Sequence, residues 1–151
     1  KRLENAVTRI FSDFDWKVED HSKTGEPFDY VIRRKRETSK SLVVALTGTT
    51  GYIDSKSAKL AQLLGAFPEV GVNGRLVFLV NGSVEKDPAS RTVADHITSE
   101  ALTRLTKNDV CILLVFDLYR LWMDCLDKKN TADQIFESIH GTCGLFKYVP
   151  P

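Results

Sequence analysis

The chain has 151 residues, 42% of them apolar and 27% charged, the size and balance of a single domain with one substantial core. A formal charge of +1 excludes a global field that would advertise nucleic acid or a membrane, so any such binding must come from a local patch. Cys111, Cys125 and Cys143 are odd in number and lack C-x-x-C spacing, which argues against a disulfide framework or a zinc site and for reduced thiols in an intracellular, cytoplasmic setting. No apolar run approaches the roughly 20 residues of a membrane span, and no signal-peptide pattern is present. The chain opens at Lys1 without Met, so residues 1–151 are expected to be one domain of a longer protein.

Leu3, Ala6, Val7, Ile10, Phe11 and Phe14 recur at helical spacing and predict an amphipathic first helix, with Glu4 off its apolar face. Phe14 to Val18 alternates like a short strand, and His21 to Gly25 reads as polar loop. Tyr30-Val31-Ile32 and Ser41 to Leu46 are two β-branched runs joined by a polar connection, which predicts a hairpin. Thr47-Gly48-Thr49-Thr50-Gly51 breaks the second run. Asp54 is placed to cap a helix from near Ser55, carrying Leu60, Leu63 and Leu64.

Gly71 to Gly74 predicts a turn, and Arg75 to Asn81 a strand buried on both faces. A single helix is expected through Val93, Ile97, Ala101, Leu102 and Leu105, then a second fully buried strand from Val110 to Val115. Leu118 to Leu126 reads as a helix with Leu118, Leu121, Trp122 and Cys125 on one stripe. Thr131-x-x-Gln134 is a capping box opening a last helix, and Leu145 to Tyr148 is an edge-strand candidate. Trp16, Trp122 and Phe78 are expected in the core. Strands separated by helices predict an α/β domain with a central mixed sheet flanked by helices.

This order resembles the PD-(D/E)xK nuclease superfamily, the restriction-endonuclease-like fold, over nearly the whole chain. The cues are Glu4 on the first helix, Glu26-Pro27-x-Asp29 opening a strand, and Val43 to Gly48 closing the next. A helix bearing Gln62, the strand ending in Asn81, and the Val110 to Val115 strand followed by Asp117-Leu118-Tyr119 complete them. The resemblance implies Mg²⁺-dependent phosphodiester hydrolysis, with Asp29 as metal ligand and Glu4 as an accessory one. It also implies a second acid at position 45 and a lysine at position 47.

Ala45 and Thr47 stand there instead. Mg²⁺ takes oxygen ligands in octahedral geometry, and neither residue supplies a carboxylate or a positive charge. Mg²⁺ binding is therefore expected to be weak or absent. Three explanations are open: a natural pseudonuclease, a Glu→Ala replacement at position 45, or migrated chemistry with Lys56 or Lys59 reaching in and Glu26 substituting.

Arg33, Arg34, Lys35 and Arg36 form the densest basic run. Such a run at a hairpin tip either blunts a sheet edge or tracks a DNA backbone. Lys59 and Gln62 are further nucleic-acid contacts in the second case. The Thr47 to Gly51 stretch is a plain turn or a backbone cradle for phosphate, but not a Walker motif. Two functions follow as expectations: a nuclease-like domain docking to DNA with a degenerate centre, or a non-catalytic protein-interaction or scaffolding module, a homo-oligomer among its options. A continuous positive groove linking Arg33–Arg36 to Lys56–Lys59 favours the first. A patchy neutral surface with an exposed apolar patch favours the second.

Overall fold

A computed structural model describes residues 2–65, 71 and 73–151. Its centre is a six-stranded sheet in the order β1-β2-β3-β4-β5-β6. The strands are β1 (Lys17–Asp20), β2 (Tyr30–Arg33), β3 (Ser41–Gly48), β4 (Gly74–Asn81), β5 (Cys111–Leu114) and β6 (Gly144–Leu145). The first three pair antiparallel and β3 to β6 pair parallel, so the sheet is mixed, as the alternation of runs implied. Six α-helices are found among the described residues: α1 (Arg2–Asp13), α2 (Ala58–Leu64), α3 (Val93–His96), α4 (Ser99–Lys107), α5 (Val115–Leu126) and α6 (Ala132–His140).

Alternation along the buried strands divides the core into two layers. Val44, Leu46, Val77, Leu79, Cys111 and Leu113 pack with Val7, Ile10 and Phe11 of α1, Leu118 and Leu121 of α5, and Phe136 of α6. Val43, Ala45, Phe78, Val80 and Ile112 pack on the other side with Leu60 and Leu63 of α2 and Ala101 and Leu105 of α4. Trp16 and Phe78 are core residues as expected, while Trp122 is only half-buried.

Four local departures have physical causes. Asp54 does not cap α2: its carboxylate accepts the Lys56 N–H at 2.9 Å in a turn, and the helix begins at Ala58. The helix expected through Val93 to Leu105 is two, because Ile97 turns extended to bridge Ile53, and Thr98 then caps α4 through the Ala101 N–H. Helix α5 follows β5 without a loop, three residues before the expected start. The first strand begins at Lys17, since Asp15 takes a positive φ of 60° and interrupts the chain after Phe14. The capping box holds: Thr131 Oγ1 accepts the Gln134 N–H and the Gln134 side chain accepts the Thr131 N–H. Within the expected turn at Gly71 to Gly74, Val72 lies outside the described residues.

Candidate functional site

Asp29 sits where β2 begins, beside the end of β3. Its N–H donates to the Val44 carbonyl at 2.8 Å, fixing the backbone against the neighbouring strand. Its carboxylate Oδ2 accepts two hydrogen bonds, from the Leu46 N–H at 2.7 Å and from the Lys59 ammonium at 3.1 Å. Lys59 reaches it from the first turn of α2. Both side chains are largely shielded, 18% exposed for Asp29 and 28% for Lys59, so the attraction is screened less than in a fully exposed pair.

Asp29 also lines a half-open cavity of about 380 Å³ at the carboxyl ends of β3 and β4. In open α/β sheets ligands enter at that end. Leu3 and Glu4 of α1, Leu46 and Gly48 of β3, Thr49, Thr50, Asn81 and Val84 complete the wall. A Cβ at Gly48 would stand 3.0 Å from Leu3 Cδ2, so α1 approaches β3 closely there.

The loops behind the cavity are fastened to one another. Thr49 N–H donates to Asn81 O, Ser83 N–H to Gly51 O and Val84 N–H to Thr49 O. Arg91 donates to Asn81 Oδ1 at 2.6 Å and to the Val84 and Lys86 carbonyls. Buried His96 accepts the Gly82 N–H on Nδ1 at 2.9 Å. Burial, and then the nearby Arg91 charge, hold the His96 pKa below the ordinary histidine value.

The residues expected at the site divide. Glu4 and Asp29 share the cavity. Lys59 reaches Asp29 from its helix but does not line the cavity. Ala45 is completely buried on the α2 and α4 side of the sheet, while the β3 residues on the cavity are Leu46 and Gly48. Thr47 shares the face of Ala45 by strand alternation and is half-buried. Lys56 and Gln62 are exposed, and Glu26 is exposed in the loop ahead of β2.

The basic run lies at the other end of the hairpin from Asp29, separated by the four residues of β2, or about 13 Å of extended chain. Its charges are mostly committed. Arg33 is 3.5 Å from Glu19, and Lys35 is 2.6 Å from Asp15. Arg34 pairs with Glu37 and Glu137, each at 2.7 Å, and stacks on Phe136 at 4.7 Å. Arg36 has no ion pair among the described residues. Three of its four charges are thus met within the chain, and Lys59 is likewise paired, with Asp29.

The donor set does not fit Mg²⁺. No three His, Cys, Asp or Glu side chains gather as a metal site among the described residues, and one of the two acids at the cavity is held by Lys59. Arg91 and His96, which hold the loops behind the cavity, carry no cue in the sequence, and Asn81 is a cue only as the end of a strand. No helix among the described residues is long and apolar enough to cross a membrane. No protein-family model, curated protein or solved structure matches the chain.

Proposed function

We propose that this chain is a restriction-endonuclease-like domain that acts by binding rather than by hydrolysis, with proteins as its partners. The Asp29–Lys59 pair carries the reading. It stands at the carboxyl edge of the sheet, at the position the nuclease resemblance assigns to a metal ligand, but one carboxylate oxygen takes both the Lys59 ammonium and the Leu46 N–H. An attacking water there would find neither a two-acid metal site nor a lysine on the strand.

The charge distribution supports protein rather than DNA partners. The chain is nearly neutral, and three of the four residues in its basic run are paired internally. An apolar stripe is exposed on α5, at Tyr119, Met123 and Leu126.

A second reading, DNA docking without cleavage, is favoured by one observation: Lys56 is exposed on the segment of chain that runs from the cavity's threonine loop to α2. Anisotropy with labelled duplex DNA, paired with a cleavage assay in Mg²⁺ or Mn²⁺, tests both. The protein reading expects no cleavage and binding weaker than about 100 µM at physiological salt. Tighter, salt-dependent binding lost in Lys56→Ala/Lys59→Ala supports DNA docking instead. Metal-dependent cleavage abolished by Asp29→Ala overturns both.

A further inference from the structure

Helix α5 is apolar on its outward side as well as its inward one. Leu118 and Leu121 enter the core, yet Tyr119, Met123 and Leu126 are 46%, 36% and 52% exposed. Their spacings of four and three residues place them on one stripe along the solvent face. The stripe is braced: the Tyr119 and Trp122 rings meet edge-to-face at 5.7 Å, and the Trp122 Nε1–H donates to Asp13 of α1 at 2.9 Å. Such a rigid aromatic and aliphatic row is the composition of an interface core.

We infer that this face pairs with the same face of a second copy of the chain, the two α5 helices running antiparallel about a two-fold axis at Met123. The charges on the stripe's flank select this occupant. Arg120 and Asp127 lie seven residues apart, hence on one flank of the helix. A two-fold axis at Met123 brings Arg120 of each copy to within one residue, about 1.5 Å of helix rise, of the level of Asp127 of the other, and Tyr119 likewise to that of Leu126. The stripe is thereby its own complement, as an isologous contact requires.

Both charged groups reach solvent. The Arg120 side chain is 44% exposed, with its guanidinium over the Phe116 ring at 4.3 Å and the Tyr148 ring at 5.2 Å, and it shares its charge with Asp117 at 3.4 Å. Asp127 is exposed and makes no ion pair among the described residues.

The inference rests on the protein-binding reading only in naming the partner. Sedimentation equilibrium on the full chain tests it between about 1 µM and 1 mM, the range over which weak to moderate association is measurable. A reversible monomer–dimer equilibrium is expected, and Met123→Asp should weaken it about a hundredfold, as truncation of a central anchor does. Arg120→Asp or Asp127→Arg alone should weaken it about tenfold, and the double exchange should restore it to within about threefold. All three positions are at the surface, so circular dichroism should find each of the four variants folded.

A monomer at every concentration overturns the inference, as does a dimer indifferent to Met123→Asp, or charge exchanges that do not rescue one another. Metal-dependent cleavage would overturn the binding-domain reading and leave the dimer untouched. The two failures are therefore distinguishable.

Discussion

The Asp29 carboxylate and the Lys59 ammonium meet at 3.1 Å across the gap between the start of β2 and the first turn of α2. The same carboxylate oxygen accepts the Leu46 N–H, so one acid fastens a strand end and a helix start together. Both bonds tie elements of the fold together, whatever else Oδ1 can accept. Asp29→Ala should cost about 1–3 kcal/mol by stranding the Leu46 N–H and leaving Lys59 unpaired. Asp29→Asn, which keeps an acceptor, should cost less. A double-mutant cycle with Lys59→Met, read by urea unfolding, should give a coupling of about 1 kcal/mol or less, since both groups retain some solvent. Additive losses would show that the pair does not couple the two elements.

Ala45 tests the relation between the sequence motif and the geometry. It is fully buried against α2 and α4, so Ala45→Glu places a carboxylate among Leu60, Leu63 and Phe78. The expected loss is about 3–5 kcal/mol, that of an uncompensated buried charge. Urea unfolding with and without Mg²⁺ checks it. Stability equal to the parent chain would mean that the carboxylate finds a partner at this position.

Arg34 distinguishes a structural basic run from a nucleic-acid one. Its guanidinium lies over Phe136 and between Glu37 and Glu137, with the side chain only 12% exposed. Arg34→Lys should be destabilising by about 1–2 kcal/mol, because an ammonium offers neither the planar stack nor the fork. Arg36→Ala should change stability by less than about 0.5 kcal/mol. Thermal unfolding of the two variants reads the difference directly, and equal effects would contradict it.

His96 predicts a pH dependence. Its folded-state pKa is depressed by burial and by Arg91, with Asp95 opposing, so the unfolded chain takes up the proton more readily than the folded one. Its contribution to stability is fully present above the unfolded value of about 6.5 and is lost as pH falls below it. The Gly82 N–H bond to Nδ1 is what protonation would break. Urea midpoints between pH 7.5 and pH 5 should fall more steeply for the parent chain than for His96→Gln. Parallel slopes would remove His96 from the account.

Much of the fold was written in local signals. The β2–β3 hairpin, the buried β4 and β5 runs and the Thr131–Gln134 capping box stand where periodicity and cap chemistry put them. The misses were made by tertiary contacts that no local pattern carries. Ile97 looked like one turn of a continuing helix until its bridge to Ile53 pulled it extended. Asp54 had the chemistry of a cap but used it on Lys56 two residues on. Hairpin geometry marked Asp29 and the nuclease resemblance alone marked Glu4, and the two line one cavity. The role of Lys59 was open, because side-chain reach across a loop is not a spacing. The outward apolar row on α5 was present in the sequence, but the inward stripe of Leu118 and Leu121 explains a helix by itself and masked it.

The measurement that tests the central claim most directly is calorimetric titration of Mg²⁺ and Mn²⁺ into the parent chain, Ala45→Glu and Asp29→Ala. The account predicts no binding heat in the millimolar range for any of the three, because Lys59 already neutralises Asp29 and the side chain at position 45 lies in the core. Metal binding by the parent chain or by Ala45→Glu that disappears when Asp29 is also removed would contradict it. Asp29 would then be a metal ligand, in the role that the PD-(D/E)xK resemblance assigns.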